Sequence, residues 1–435
     1  MGLRLIVRLL FLLGPLLATA FAAAREADVT TYRSIQEAID ANPGRMIHVP
    51  GGDYEITEKL RLRTDNSGLH GPGRIIQTNP NVPIIEIEQA TGVRVRDLTL
   101  TRPEGKMEAN ADGIIATKCQ RLRIDDVQVL DNRTASAAIR LRECRDTAVR
   151  GCIIENYSRI TVDDRTASPH YGYAFDCISG TGVSVSESSG TLIQGCRVVE
   201  RHLLTTPEVQ QKFGLGKFVK KNPVKGSLIS QQTWDEGRVD NWHQGSAIVV
   251  TSPEASDYTQ VLGNYIENAG QGIDIHADHV TIAQNIVNNA FIGMKAMHGS
   301  RNVIITGNQF TRNDLWAIGL MPGAASHPAV EGKSVNADGG SIIANNIISD
   351  FGHGHAHWIW GSERSPFKFD SGQEPDDPPL TDVIIQGNVV HSIGSPRYKY
   401  AVIIAGGRNA PQSLHFSNNI LAPGTAGIAN QDLAP

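Results

Sequence analysis

Two acids and two histidines lie close together in one short stretch, residues 272–285. The stretch reads GIDIHADHVTIAQN, so Asp274 and His276 alternate with Ile273 and Ile275. In a strand the isoleucines would face one side and the two polar side chains the other. An imidazole exchanges protons near neutral pH, and a neighbouring carboxylate influences its charge. The pattern predicts acid–base chemistry, with metal ligation and ordinary surface polarity as the alternatives.

Short segments that read strand, polar corner and strand recur along the chain, as in QVLGNYIE, TIAQNIVN, IITGNQFT and IIANNIIS. The closest corners are 21 and 23 residues apart, and larger spacings indicate loops inserted into a coil of similar length. Such short strands, with no helical period between them, are typical of an all-β parallel solenoid whose coils stack on one another. A β-sandwich is the alternative, but it would not place asparagines at equivalent corners so often. The predicted corner residues, whose side chains would form a ladder, are Asp97, Asp126, Cys152, Cys196, Asn264, Asn285, Asn308, Asn346, Asn388 and Asn419.

The open end of a solenoid needs a cover, because unpaired strand edges promote aggregation. The segment SIQEAIDAN, residues 34–42, has Ser34 and Glu37 at capping-box spacing and an apolar helical face. We therefore expect a helical cap there, followed by strands from about Met46 to Leu421.

This cap, the following IHVPGGDYEI and the Asn-cornered coils together resemble the pectate-lyase-like, right-handed parallel β-helix superfamily. The resemblance extends over residues 25–435 and implies a single right-handed β-helix domain with a carbohydrate polymer along one flank. It does not fix the activity, because such folds include lyases, hydrolases, epimerases and phage adhesins.

Residues 1–24 have the layout of a secretory signal peptide. Arg4 and Arg8 precede an apolar run over residues 9–17, and alanines follow up to Ala24. We expect a secreted or periplasmic protein that has no membrane contact after cleavage, since no later segment is long and apolar enough to span a bilayer.

Charge and cysteine content limit the partners. A formal net charge of −5 gives no reason to expect nucleic acid, and we expect a monomer. Five cysteines are too few for a disulfide scaffold. Cys152 and Cys196 occupy equivalent corners, so stacked cysteines could form disulfides, with buried thiols as the alternative.

Aromatic, histidine and lysine residues concentrate around one interruption of the repeat, an insertion at about residues 202–245. All five tryptophans lie between residues 234 and 360, and eight of the fourteen histidines lie between residues 243 and 357. Exposed aromatic rings stack on sugars and cationic loops suit an acidic glycan, although padding of the surface is the alternative. The residues predicted to bind substrate are Trp242, His243, Trp316, Trp358, Trp360, Asp278 and His279.

The repeat also predicts which coil lies beside the opening stretch. Asp274 lies ten residues after corner Asn264, and Lys295 lies ten after Asn285. The two should therefore occupy adjacent rungs about 4.8 Å apart. With His276 and His298 they would form an exterior patch of four predicted catalytic residues; a surface ion pair is the alternative.

Such a patch suits removal of the C5 proton of a uronate, which requires a cation at the sugar carboxylate, a base near neutral pKa and an acid. The cation could be Lys295, an arginine or a bound Ca²⁺. No metal or cofactor is otherwise predicted.

The segment GIDIH is similar to the GxDPH segment of alginate C5-epimerases. The resemblance matches Asp274 to the first aspartate of the motif and His276 to its proton-transferring histidine. Ile275 replaces the proline, Ala277 replaces the last aspartate, and His298 lies near the position of the basic residue one coil on. The prediction is a polysaccharide lyase or C5-epimerase for an acidic glycan; a non-catalytic carbohydrate-binding or adhesin solenoid is the alternative.

Two other motifs carry acids or histidines that could serve chemistry. Asp163 and Asp164 could serve hydrolysis together with the GHG at 352–354, but almost 190 residues separate them. If they lie on a strand, His353, His355 and His357 share one face. Such a row suits a transition-metal site, with the lining of a sugar-binding groove as the alternative.

Overall fold

The computed structural model describes residues 27–164, 173–204, 206–215, 218–221, 245–323, 330, 336–355, 364–372 and 376–434. Within them the chain winds as a right-handed β-helix, and each coil adds one strand to each of three parallel sheets, here called A, B and C. The predicted all-β right-handed solenoid is therefore confirmed.

Sheet A lies before the asparagine corner. Its thirteen strands are β1 Ala27–Asp28, β2 Met46–His48, β5 Gly68–His70, β8 Arg94–Arg96, β12 Arg123–Asp125, β16 Ala148–Arg150, β21 Leu192–Gln194, β25 Gln260–Leu262, β28 Thr281–Ala283, β31 Ile304–Thr306, β34 Gly339–Ala344, β37 Thr381–Gln386 and β40 Leu414–Ser417.

Sheet B follows that corner. Its twelve strands are β3 Asp53–Ile56, β6 Arg74–Gln77, β9 Thr99–Thr101, β13 Gln128–Leu130, β17 Ile153–Glu155, β22 Arg197–Val199, β26 Tyr265–Glu267, β29 Ile286–Asn288, β32 Gln309–Thr311, β35 Ile347–Ser349, β38 Val389–His391 and β41 Ile420–Leu421.

Sheet C carries the stretch with the two acids and two histidines. Its twelve strands are β4 Leu60–Leu62, β7 Ile85–Glu88, β11 Ile114–Thr117, β15 Ala137–Arg142, β20 Thr181–Ser186, β24 Ser246–Thr251, β27 Gln271–Ile275, β30 Ile292–Met297, β33 Trp316–Met321, β36 Ser365–Phe369, β39 Tyr400–Ile404 and β42 Gly427–Ala429. Its inward side chains, such as Ile273 and Ile275, are fully buried in the core.

Two small sheets lie outside the three stacks. One pairs β10 Glu108–Ala109 with β14 Arg133–Thr134 in parallel. The other is antiparallel and consists of β18 Arg159–Asp164, β19 Tyr173–Ser179 and β23 Phe218–Lys221.

The asparagine ladder is present from Asn264 through Asn285, Asn308, Asn346 and Asn388 to Asn419. The backbone N–H and the side-chain Nδ2 of each asparagine both donate to Oδ1 of the next, at 2.9–3.0 Å. Each amide thereby satisfies a turn that would otherwise bury unpaired polar groups.

The predicted corners Asp97 and Asp126 were wrong by one residue. The strand register aligns Asp126 with Gly151 and therefore Val127 with Cys152, so the buried column continues through Val127 rather than through the aspartates. Asp97 and Asp126 have φ of 60° and 55°, a left-handed conformation that aspartate tolerates better than most residues.

The predicted cap is helix α1, Ile35–Ala41, with Ser34 as its N-cap. Ser34 Oγ accepts a hydrogen bond from the Glu37 N–H at 3.1 Å, while the Glu37 carboxylate accepts from the N–H of Arg33 at 2.7 Å. In a standard capping box the glutamate accepts from the N–H of the N-cap residue, whereas here it accepts from Arg33, one residue earlier. The apolar face of α1 joins the core at the first coil. A 3₁₀ turn, Val29–Thr31, precedes it.

The inserted segment contains helix α2, Pro207–Phe213, with Thr206 as its N-cap. Leu215 follows the helix and packs with Ile178 of β19 against Phe291 and Leu315, which precede β30 and β33. This second apolar cluster fixes the described part of the insertion beside sheet C.

All five cysteines are buried as thiols rather than joined in disulfides. Among the described residues no helix is both long and apolar enough to cross a membrane. The predicted signal peptide, residues 1–24, lies outside the described residues.

Candidate active site

Strands β27 and β30 bring together the four residues that the sequence predicted as catalytic. Asp274 pairs with Lys295 across adjacent rungs of sheet C. The Lys295 Nζ lies 3.4 Å from Asp274 Oδ2, and His276 Nε2 lies 2.9 Å from Asp274 Oδ1. The rings of His276 and His298 are 5.6 Å apart between centroids. The predicted juxtaposition is confirmed, while its catalytic role stays a prediction.

The patch is outward-facing but not exposed, which corrects the expected exterior surface. The relative solvent-accessible surface is 7% for Asp274, 5% for His276, 9% for Lys295 and 3% for His298. Met297, two residues after Lys295 on the same face, is buried as well. Alternation along a strand determines which side a residue faces, whereas cover over that side comes from packing of distant residues.

The charge of Asp274 is set by its two partners. Burial favours the neutral acid, but the Lys295 ammonium and the His276 imidazole outweigh burial and hold the pKa of Asp274 below its usual range. His276 Nε2 lies at ion-pair distance from Asp274 Oδ1, so the carboxylate stabilises a positive charge on this imidazole. Asp274 therefore orients His276 and does not itself serve as the base.

A second lysine, which the sequence reasoning missed, lies two rungs beyond Lys295. Gly319 of β33 pairs with Lys295 on one side and with Lys368 of β36 on the other. At about 4.8 Å per rung, the two lysines are about 10 Å apart along the same column. Lys368 is buried, and its Nζ lies 3.7 Å from Asp370 Oδ2. Its only sequence signal was a cation between two phenylalanines in SPFKF.

Gly319 makes room for the indole of Trp316. A Cβ at this position would lie 2.7 Å from Cε3 of that indole. The half-buried Trp316 ring therefore lies against the backbone of the rung between the two lysines. This predicted substrate-binding tryptophan is the one whose placement the structure describes.

His298 adopts a left-handed φ of 52°, and the turn after it is held by a carboxylate from outside its own coil. Asp338 Oδ1 accepts from the Gly299 N–H at 2.7 Å, and Oδ2 accepts from the Ser300 N–H at 2.9 Å. Asp338 is buried and lies about 40 residues further along the chain. No spacing in the sequence connects it with His298.

The two predicted rim residues differ from expectation. Asp278 is buried, and its carboxylate is bonded to the guanidinium and the backbone N–H of Arg301, so it is occupied as a structural acceptor. His279 is exposed, with its ring 5.3 Å from that of Tyr258 between centroids. Only His279 could contact an external ligand.

The other predicted substrate-binding residues, Trp242, His243, Trp358 and Trp360, lie outside the described residues. His357 of the histidine run does so too. His353 and His355 are described, and His353 Nε2 lies 3.1 Å from the carbonyl oxygen of Ser395.

The residues of this cluster do not fit Ca²⁺. That ion prefers six to eight oxygen ligands, and here one carboxylate is surrounded by an ammonium and two imidazoles. Each Asp274 oxygen already lies at ion-pair distance from a cationic side chain, His276 or Lys295. Among the described residues, no group of three or more His, Cys, Asp or Glu side chains lies close enough to hold a metal ion.

Residues 75–346 match the family described as the right-handed β-helix region, and the chain belongs to that family. No curated protein matches the chain significantly.

Solved structures share the fold at low identity. The Dettilon tailspike protein is 13% identical with a TM-score of 0.57, over 91% of this chain and 63% of the tailspike. The A-module of the mannuronan C-5 epimerase AlgE4 of Azotobacter vinelandii is 12% identical with a TM-score of 0.51, over 94% and 98%. The surface adhesin PfbA of Streptococcus pneumoniae is 12% identical with a TM-score of 0.55, over 93% of both chains. At such identities these likenesses concern the fold alone.

Proposed function

We propose that this protein removes the C5 proton of uronate residues in an acidic polysaccharide, as a lyase or a C5-epimerase. One observation carries the proposal: an ordered His276–Asp274–Lys295 cluster, with His298 beside it, on the outer face of sheet C. Burying charged and titratable groups is costly, and such groups concentrate at functional sites.

The proposed step uses the cluster as follows. A lysine ammonium pairs with the substrate carboxylate and stabilises the negative charge that develops on it. His276 accepts the C5 proton, and the electrons of the C5–H bond move into the carboxylate as an enolate. Asp274 stabilises the imidazolium that forms at His276.

Two outcomes follow from that intermediate. In elimination the enolate electrons form the C4–C5 double bond, the C4–O bond breaks and the leaving oxygen takes a proton. In epimerisation a proton returns to C5 from the opposite face of the ring. Both outcomes require the same base and the same cation, so the cluster is compatible with either.

Lys368 and Trp316 support a polymeric acidic substrate. Two lysines about 10 Å apart along a column can pair with carboxylates on different sugars of one chain, and the indole between them offers a surface for a sugar ring.

We further propose that residues 1–24 direct export, that the protein is secreted or periplasmic, and that it acts as a monomer.

The test incubates the protein with polygalacturonate, polymannuronate, polyguluronate and a glucuronate-containing polymer in D₂O. Deuterium at C5 of the recovered polymer identifies epimerisation, and an unsaturated sugar at the new chain end identifies elimination. His276→Ala should abolish both signals, whereas His415→Ala, an exposed histidine of β40 in sheet A, should not. If neither signal appears with any of the polymers, the proposal is contradicted.

The second candidate is a carbohydrate-binding or adhesin solenoid without catalysis. The burial of the four clustered residues favours it, because a substrate ring must reach a proton-transferring group. In that case the polymers would bind without isotope exchange, and His276→Ala would leave binding unchanged.

A further inference from the structure

A cleft of about 900 Å³ opens on the turns that lead from sheet B to sheet C in the early coils. Its walls come from the segments after β6, β9, β13, β17 and β22, and helix α2 closes one side. This volume lies within the range of small-molecule binding sites, about 300–1,000 Å³. The four clustered residues of the candidate active site do not line it.

The cleft is cationic although the whole chain is acidic. Five arginines and lysines line it against one carboxylate, Glu108, while the formal net charge of the chain is −5. Glu108 is itself 3.5 Å from the Arg159 guanidinium. Arg133 is likewise paired, with the buried Glu200 at 2.9 Å. The surplus of positive charge therefore comes from Arg102, Lys106 and Lys212, and it attracts anions.

Arg102 supplies a fixed charge in the wall of the cleft. It is buried, and its guanidinium donates to Oδ1 of Asn132 and to the carbonyl oxygens of Asn79 and Val82, at 2.7–3.0 Å. All three acceptors are neutral, so its charge is not cancelled by them. Burial lowers the pKa of Arg102 to about 10, which leaves it protonated at neutral pH.

Lys106 and Lys212 are exposed and available to a ligand. Among the described residues no carboxylate lies within ion-pair distance of either. Lys212 Nζ lies 5.1 Å from the ring centroid of its neighbour Phe213, and that ring also lines the cleft. Met107 adds an apolar surface beside Lys106.

We propose that this cleft is an accessory binding site for a short carboxylated oligosaccharide. Its cations come from four separate segments of the chain, and three of them are sequence neighbours of apolar lining residues, Met107, Ile160 and Phe213. An isolated phosphate is instead bound by donors that converge on one point. A chain of uronate rings presents spaced carboxylates and apolar ring faces, which match this lining. The choice of an acidic glycan rests on the proposed function, but binding here requires no catalysis.

Helix α2 connects this cleft with the candidate active site. Val209 lines the cleft and also packs against the second apolar cluster, and Trp316 packs against the same cluster. An oligosaccharide held in the cleft would therefore contact a helix that shares this cluster with Trp316.

The test measures binding of galacturonate and mannuronate tetrasaccharides by calorimetry to the Lys295→Ala variant, which lacks the active-site lysine that is paired with Asp274. We expect one of the two to bind, more weakly at high salt, and the methyl ester of the galacturonate tetrasaccharide not to bind. Adding Lys106→Ala and Lys212→Ala should weaken binding about tenfold or more, as the loss of two exposed charge contacts allows. Lys399→Ala is the matched control, since Lys399 is also exposed and lies 5.6 Å from the ring centroid of Tyr400, and it should change affinity less than about twofold.

Three results would overturn the assignment: no binding of either tetrasaccharide, equal binding by the triple variant, or equal binding of the methyl ester. Inorganic phosphate that binds with the same lysine dependence, while the tetrasaccharides do not, would also overturn it. Both cleft lysines are exposed, so adding their substitutions should leave the melting temperature of the Lys295→Ala variant unchanged. If Lys295→Ala itself does not fold, the same comparison is made in the wild-type chain. Loss of cleft binding with C5 exchange intact would refute only this inference, whereas cleft binding without C5 exchange would refute only the proposed function.

Discussion

Asp274 and Lys295 face each other on adjacent rungs of sheet C, with 3.4 Å between the Lys295 Nζ and Asp274 Oδ2, and both are buried. His276 completes the contact on the other carboxylate oxygen. A buried ion pair adds little over an apolar pair, but removing one partner leaves an uncompensated charge in a poorly solvated place. Each charged group of the cluster therefore needs its partner in order to stay buried without a large loss of stability.

Asp274→Asn should lower the free energy of unfolding by about 3–5 kcal/mol at neutral pH, because Lys295 then stays buried without its counter-charge. Urea unfolding followed by circular dichroism measures this change. Asp53→Asn is the matched control, because Asp53 and Arg74 also form an inter-rung ion pair, 3.0 Å long, but both are exposed. We expect a loss of about 1 kcal/mol or less there. Equal losses in the two variants would show that burial of the Asp274 pair is energetically unimportant.

The same pair predicts a pH dependence of stability. The folded pKa of Asp274 lies below the unfolded value of about 4, so the folded state binds fewer protons through this group. Its stabilisation is complete above pH about 4 and is lost as the pH falls further toward the folded pKa. The stability difference between the wild type and Asp274→Asn should therefore shrink below pH about 4. A difference that stays constant down to acid unfolding would contradict the lowered pKa.

The sequence predicted this relationship because two uninterrupted coils separate Asn264, Asn285 and Asn308, so counting from the corners gives the register. Lys368 was missed since the residues after Met321 break that count before β36. The shifted corners at Asp97 and Asp126 have a local cause. Each corner has a left-handed residue followed by a buried one, and a polar residue can fill either position. Burial of the cluster was not predictable, because it depends on what packs over the sheet.

The ladder should respond strongly to a single change in its middle. Asn285→Ala removes an amide that accepts from Asn264 and donates to both Asn308 and the Val261 carbonyl, all in buried surroundings. We expect a loss of about 2–4 kcal/mol in the free energy of unfolding, since buried polar groups lose their partners. Asn419→Ala, at the partly exposed end of the ladder, should lose about 1 kcal/mol. Chemical denaturation compares the two, and a larger loss at Asn419 would contradict a cooperative internal ladder.

The indole of Trp316 should contribute to glycan affinity if it lies under a sugar ring. Trp316→Ala is expected to weaken binding of the active polymer by about 1–3 kcal/mol, by analogy with aromatic anchors at interfaces. Gly319→Ala tests the same point without removing the ring, because the new Cβ would displace the indole from its position 2.7 Å away. Both variants should weaken binding measured by calorimetry, while Gly406→Ala, whose Cβ would meet no atom within 4 Å, should not. Unchanged affinity in both variants would assign Trp316 to packing alone.

The two histidines of the cluster should separate in their kinetics. His276 is oriented by Asp274, so His276→Gln should lower kcat by about 10²–10⁴-fold, the usual contribution of a positioned proton-transfer group. Because Asp274 acts through that ring, Asp274→Asn combined with His276→Gln should be no slower than His276→Gln alone. His298 lies 5.6 Å from His276 between ring centroids, beside rather than within the Asp274 contact. His298→Gln should therefore lower kcat by a similar factor only if the reaction needs a second proton-transfer group.

C5 deuterium exchange in D₂O distinguishes loss of the base from loss of the acid. A variant that exchanges the C5 proton but forms no product retains the base and lacks the acid. If His276→Gln exchanges at the wild-type rate, the base lies elsewhere, and the cluster is a structural ion network on the solenoid.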